Sequence, residues 1–230
     1  LMKIAILAAM DKELRLLKNI IPGYKEIRIG DSTYYEGSDG ENSIILGKCG
    51  IGKVNSALNT YRLINELKPD LVINSGVAGG VDGSLGVGSV LIADKTSYHD
   101  VWCGPGTEPG APDGFGKYLH PSDRILNKAR ALFKNSEDVT FGLICSGDSF
   151  IHRKEEVDTI KSKFPEAKAV DMESASIAQT CEMCGVPFAI VRVMSDTPGA
   201  AENLSQYENF WDKAPEKTFG CLKAILESLR

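Results

Sequence analysis

From one end to the other, the chain alternates short apolar runs of strand character with segments whose apolar residues recur at helical spacing. Lys3 to Met10 reads as a buried strand, after which Leu14, Leu17 and Ile20 share one helical face. Val54, Ala57, Leu58, Tyr61 and Ile64 form the expected inward face of the next helix. Further helices are expected near 122–133, 153–163, 174–183 and from Gln206 to the end, where Pro215 kinks or restarts the helix. Strands are expected at 71–74, 89–93, 141–145, 167–170 and 188–193. Tyr24 to Cys49 carries turn signals at Gly30-Asp31 and Ser38-Asp39-Gly40, which make it a set of antiparallel hairpins. Val101 to His120 is rich in Gly and Pro and reads as a long loop, a feature that in compact domains is usually functional. This order implies one α/β domain over residues 1–230, with a central mixed β-sheet flanked by helices.

Composition excludes several classes of function. With 230 residues, 43% apolar and 25% charged, the chain can bury a sizeable core and is not of the disordered type. The net charge is −5 and Lys and Arg are scattered, which argues against a nucleic-acid partner. The apolar runs fall far short of the ~20 residues of a membrane helix, so no membrane partner is expected. Leu1 to Ala9 is largely apolar, but Asp11-Lys12-Glu13 follows where a signal peptide would need small residues. Six cysteines without a secretion signal are expected as reduced thiols, which points to the cytoplasm. Cys181 and Cys184 form the one close pair. A zinc site would need a second pair or nearby histidines, and His99, His120 and His152 lie well upstream. The pair therefore reads as structural, and no metal is expected.

Most of the strands run out into small or polar residues: Met10-Asp-Lys-Glu13, Ser75 to Gly80, Ser146-Gly-Asp-Ser-Phe150, Asp171-Met-Glu173 and Ser195-Asp196. Ligands of open α/β sheets bind at the carboxyl ends of strands, where such residues would converge. One Asp at a strand end is ordinary as a helix cap, but four acidic strand ends point to a common site. Two glycine motifs compete for attention. Gly47 to Val54 fits a phosphate-binding P-loop until its last position, where Val54 replaces the hydroxyl residue that would hold magnesium. Gly76 to Gly80 reads as a turn that lets backbone approach a ligand closely, without the spacing of a dinucleotide fingerprint.

In order along nearly the whole chain, these pieces match a known pattern. Lys3 to Met10 with Glu13, Gly50-Ile-Gly-Lys53, Gly76 to Gly80, Tyr98-His-Asp100, Ser146 to Phe150, Val170 to Glu173, and Val191-Arg192 with Ser195-Asp196 resemble the 5′-methylthioadenosine/S-adenosylhomocysteine nucleosidases of the purine nucleoside phosphorylase superfamily. The resemblance implies a nucleoside phosphorylase-like fold, a homodimer and no cofactor. It also implies an adenine thionucleoside as substrate, cleaved by hydrolysis at its N-glycosidic bond, as in methionine salvage.

The resemblance assigns roles that chemistry can check. Asp196 would protonate N7 of adenine, oriented by Ser195, and an acid working near neutrality needs a raised pKa. Glu13 would position and deprotonate the attacking water, with Arg192 close by, in a two-carboxyl arrangement like that of glycosidases. Glu173 would grip the ribose hydroxyls and Met172 would pack on the sugar. Phe150 would stack on the purine while the backbone at Ile151 reads its edge. Ala9, Met10, Ile51, Val77, Ala78 and Gly79 complete the implied substrate contacts, Val77 standing where many relatives have Ser. The long loop would cross to a neighbouring subunit and line the 5′ pocket, with Trp102 and Phe115 as candidates. Three rivals remain. A phosphorolytic enzyme on this fold often carries an Arg before the Gly-rich segment, where this chain has Ile73-Asn74-Ser75. A futalosine-type nucleosidase would share the catalytic groups, whereas a nucleoside-binding protein would be expected to have lost the acid or the base.

Overall fold

The computed structural model describes residues 1–211 and 220–230 in full, and the backbone of 212–213 and 215–219. Strand β1 (Lys3–Ala8) leads into α1 (Asp11–Leu17) and a short 3₁₀ turn, followed by the hairpin strands β2 (Lys25–Ile29), β3 (Ser32–Asp39) and β4 (Asn42–Lys48). Then come α2 (Lys53–Leu67), β5 (Leu71–Gly80), β6 (Val90–Tyr98), α3 (Asp123–Leu132), β7 (Val139–Ser146) and α4 (Lys154–Lys163). The chain ends with β8 (Ala167–Asp171), α5 (Ser174–Cys184), β9 (Phe188–Asp196), α6 (Asn203–Lys213) and α7 (Pro215–Glu227).

The strands form one mixed sheet in the order β2-β3-β4-β1-β5-β8-β7-β6-β9, and β9 also pairs with β5. That last pairing closes β5, β8, β7, β6 and β9 into a ring, with β1 to β4 as an open wing. Closure matters for function, because β5 and β8 run antiparallel and meet only at Gly79–Val170 and Gly80–Ala169. The carboxyl end of β8 is thereby brought against the far half of β5, beside the carboxyl end of β9. Both faces of the sheet are covered. Along β1, Ile4, Ile6 and Ala8 enter a core shared with α1, α3 and α7, while Ala5 and Leu7 enter another shared with α2 and α5. A strand buried on both faces reads as a continuous apolar run, which is why the sequence marked it clearly.

Two expectations are corrected. Gly76 to Gly80 is not a turn but the second half of β5, hydrogen-bonded to β9 and β8 with a bulge at Ala78/Gly79. Helix α2 buries Ile64 of the expected face but otherwise turns a different side inward. Ser56, Thr60, Leu63 and Ile64 point inward, whereas Val54, Leu58 and Tyr61 are 76%, 55% and 54% exposed. The cause is close packing on α5: the Ser56 and Ser176 hydroxyls bond at 2.5 Å, the Thr180 hydroxyl donates to the Ser176 carbonyl (2.7 Å), and small side chains let the two helices approach. Residues 101–120 form the expected long loop, held at its end by a bridge between Thr96 and Leu119. Among the described residues, no helix is long and apolar enough to cross a membrane.

Candidate active site

The site is assembled where β1, β5, β8 and β9 end. Glu13 lies in the first turn of α1, where a carboxylate satisfies unpaired helix N–H groups. Its Oε2 accepts the N–H groups of Ala9 (2.9 Å) and Met10 (3.0 Å), and its Oε1 accepts that of Val77 on β5 (3.0 Å). Helix capping and site-building are thus one function of one side chain. Burial raises the Glu13 pKa, opposed by the nearby Arg192 and by these backbone donors.

Arg192 is fully buried on β9. Its Nη1 donates to the Val77 carbonyl (3.0 Å) and its Nη2 to Asn74 Oδ1 (2.6 Å), with Glu173 Oε2 at 3.4 Å. Its Nε makes an ion pair with Asp171 at 3.1 Å. Burial works against the charge, but Asp171, Glu173 and Glu13 outweigh it and keep the guanidinium protonated. Asp171 accepts the Ser146 hydroxyl (2.5 Å) and the N–H groups of Glu173 and Ser174 on one oxygen, and the Ser174 hydroxyl on the other. This fixes the β8–α5 junction and, with it, Glu173. Burial raises the Glu173 pKa to about 7; Arg192 lowers it, while the charges of Asp171 and Glu13 add to the rise.

Asp196, the last residue of β9, has different company. Its Oδ1 accepts the Ser195 hydroxyl at 2.6 Å and its Oδ2 accepts the Asn203 amide at 2.5 Å. Among the described residues, no cation is one of the groups that set its pKa; burial raises it against both hydrogen bonds. The two carboxyl systems share a cavity of about 310 Å³. Phe150 forms part of its wall, edge-on to Tyr207 of α6 with ring centroids 5.4 Å apart.

The loop carrying Phe150 is anchored by charge. Lys53 Nζ donates to both oxygens of Asp100 at 2.9 Å, and Asp100 in turn accepts the Asp148 N–H at 2.9 Å. Asp148 Oδ1 takes the Lys53 N–H (2.7 Å), and Glu173 takes that of Gly52 (3.3 Å). The N-terminal N–H groups of α2 that a P-loop would offer to phosphate are therefore already held by carboxylates. The His99 ring packs against Gly147, where a Cβ would come 2.2 Å from it.

Residues 3–227 match the family model of the Phosphorylase superfamily. A curated relative, the 5′-methylthioadenosine/S-adenosylhomocysteine nucleosidase of Lysinibacillus sphaericus, is 39% identical over 227 residues, covering 97% of this chain and 99% of that protein. The chain belongs to the 5′-methylthioadenosine/S-adenosylhomocysteine nucleosidase family. It is an N-glycosyl hydrolase with the nucleoside phosphorylase-like α/β fold. Among solved structures, the S-adenosylhomocysteine nucleosidase of Streptococcus pyogenes in complex with 5-methylthiotubericidin is 35% identical with a TM-score of 0.94, covering 100% of this chain and 98% of that one. The Streptococcus pneumoniae nucleosidase, solved with a transition-state inhibitor, is 33% identical with a TM-score of 0.95 and full coverage of both chains.

Within this nucleosidase the cavity is lined by Glu13, Arg192, Ser195 and Asp196, the four residues expected to carry the chemistry. It is also lined by Ala9, Met10, Ile51, Val77, Ala78 and Gly79, and by Phe150, Ile151, Met172 and Glu173. Trp102 is not among the lining residues. It is 61% exposed, and its indole N–H donates to the Thr107 carbonyl within the same loop. Phe115 packs against the core on the α2–α5 side of the sheet rather than toward the cavity, because the loop folds back to place Leu119 beside Thr96. Sequence reasoning missed Ser149, Asp171 and Tyr207, which line the cavity, and Asn203 behind Asp196. Asp171 stood in a strand-end motif and could have been found. Tyr207 and Asn203 sit on a helix with no local mark of function.

Proposed function

We propose that the enzyme hydrolyses the N-glycosidic bond of 5′-methylthioadenosine and S-adenosylhomocysteine, releasing adenine and the 5′-thio-substituted ribose, with Asp196 as acid and Glu13 as base. The observation that carries this reading is the contrast between two buried carboxyls in one cavity. Burial raises the pKa of both, but at Glu13 it is opposed by a guanidinium neighbour and three N–H donors, a set built to receive a carboxylate. Asp196 has two neutral donors, and burial holds its proton on.

Proton transfer from Asp196 to N7 lets the C1′–N9 bond break with its electron pair leaving on a neutral purine. Water then adds to C1′ of the oxocarbenium-like sugar and its proton passes to Glu13. Glu173 accepts hydrogen bonds from the ribose hydroxyls, held for this by Gly52 and Arg192. Phe150 and Tyr207 provide an aromatic wall for the purine. Phosphate would need free donors or a free cation. The guanidinium is instead committed to Val77, Asn74, Glu173 and Asp171, and Glu13 would repel the anion, so water is the nucleophile that fits.

Assembly as a homodimer is supported by Ile51, Val54, Leu58 and Tyr61, an exposed apolar stripe at helical spacing that starts at the cavity wall. A second copy covering it would bring its own loop near the cavity mouth, and exposed Trp102 is the residue suited to that role. Six free thiols suit a reducing compartment, the cytoplasm.

The decisive experiment follows adenine release from 5′-methylthioadenosine by chromatography, without and with added phosphate. Release without phosphate, giving free methylthioribose, is expected. Strict phosphate dependence with a ribose 1-phosphate product would replace hydrolysis by phosphorolysis. Adenine binding with no release in either buffer would indicate a binding protein, and turnover of futalosine alone would move the substrate.

A further inference from the structure

The acid receives a hydrogen bond from a residue that the mechanism above does not use. Asn203 is buried, opens helix α6, and donates from Nδ2 to Asp196 Oδ2. Its place is set by the short link between the acid and α6. The Asn203 N–H donates to the Ala200 carbonyl (3.2 Å), and Gln206, one turn further on, accepts the N–H of Thr197 (2.8 Å). The other end of the same amide, Asn203 Oδ1, is buried with no hydrogen-bond partner among the described residues. Buried polar atoms are nearly always paired, so an orphan beside an ionisable group asks for a reason.

The chemistry of the acid supplies one. During the reaction Asp196 changes from a carboxylic acid to a carboxylate and back. A primary amide can face either form: its N–H end donates to the carboxylate, and after a half-turn its oxygen accepts from the protonated acid. A second carboxyl at this distance would favour the protonated form strongly. We propose that Asn203 is a positioning residue for the acid, which keeps Asp196 aligned in both protonation states and stabilises the charge left when the proton passes to the purine. The inference rests on the assignment of Asp196 as the acid. It also ties the strength of that acid to the seating of α6, the helix that carries Tyr207 into the cavity wall.

The other ionisable groups around the cavity are Glu13, Asp171, Glu173, Arg192 and Tyr207. Glu13 and Glu173 work as carboxylates and therefore shape the acidic limb of kcat/KM, and Arg192 stays protonated throughout. Burial raises the Tyr207 pKa further above its ordinary value of 10.0. The alkaline limb therefore reports Asp196.

The test compares kcat and kcat/KM across pH for wild type, Asn203→Ala, Asn203→Asp and Asp196→Asn, with thermal melting to confirm folding. Removing the amide donor makes Asp196 a weaker acid. Asn203→Ala is expected to lower kcat about tenfold or more, with KM little changed and the alkaline limb moved to higher pH. Asn203→Asp keeps the shape but sets a second carboxyl against the first, so the limb moves further in the same direction. A folded Asn203→Ala enzyme with an unmoved limb, whether active or impaired, overturns the proposal, since a merely structural role leaves the limb in place. Asp196→Asn separates the two levels. More than about a tenth of wild-type turnover there removes the acid assignment and this inference with it, whereas an inactive Asp196→Asn beside an unmoved Asn203→Ala limb refutes the role of Asn203 alone.

Discussion

One added methyl group, at Gly76, tests how tightly the base and its guanidinium are held. A Cβ at this position would lie 2.6 Å from Arg192 Nη1 and 2.7 Å from Glu13 Oε1, against about 3.4 Å for ordinary contact. Both groups would have to retreat by roughly 0.7–0.8 Å. Neither is free to do so: Nη1 is bound to Val77, Nη2 to Asn74, and the carboxylate to three N–H groups. Backbone conformation does not oppose the change, since Gly76 is not among the residues with positive φ. Overpacking of this kind typically costs about 1–3 kcal/mol, which in a chain of this size lowers Tm by roughly 2–12 °C. The effect on turnover should be larger, because displacing a catalytic group by about 1 Å costs on the order of 10²-fold. Gly76→Ala is therefore expected to fold, melt earlier and lose about 10²-fold in kcat for adenine release. Gly83→Ala, whose added carbon meets nothing within 4 Å among the described residues, is the control and should be silent. A Gly76→Ala enzyme with kcat within threefold of wild type would show that the Glu13–Arg192 geometry does not limit the reaction.

Burial raises the Glu173 pKa from 4.5 to about 7, so the folded state holds this proton more tightly than the unfolded chain. The stability it contributes is present below about pH 4.5 and lost as pH rises through 7; Tm should fall between pH 5 and 8, and the slope should flatten in Glu173→Gln. Lys53→Met removes partly exposed ion pairs worth at most about 1 kcal/mol, so Tm should hardly move. Its KM should rise severalfold with kcat little changed, because the loop carrying Phe150 loses its anchor; an unchanged KM would refute that role. Leu58→Glu charges the exposed face of α2 and should shift the protein from twice the chain mass to monomer in sedimentation, whereas a monomeric wild type would remove the dimer reading altogether.

Element order was legible in the residues, and so were most of the positions that line the cavity. Periodicity and turn chemistry are local properties: a doubly buried strand such as β1 or β9 reads as an apolar run, and its acidic terminus stands out against it. The strand-end segments that hold Glu13, Glu173, Ser195 and Asp196 could therefore be picked out before any packing was known, and the family resemblance of those segments in their order singled out the four residues within them. The errors share one cause. Gly76 to Gly80 looks like a turn until β8 and β9 supply its hydrogen bonds, because glycine carries no side-chain pattern by which a strand could be recognised. Apolar Val54, Leu58 and Tyr61 looked buried because apolarity shows only that a face needs cover, and here the close Ser56–Ser176 contact turned the other side of α2 inward. Whether Arg192 was free to bind an anion depended on Asn74 of β5 and on Asp171 and Glu173 at the β8–α5 junction arriving beside it. Asn203 became a partner of Asp196 only when α6 docked against the end of β9. Local sequence determines what each segment can form and which groups it can offer; which of those groups remain free, and what proton affinity burial imposes on them, is decided by neighbours distant in the chain, because desolvation and hydrogen-bond pairing act through space.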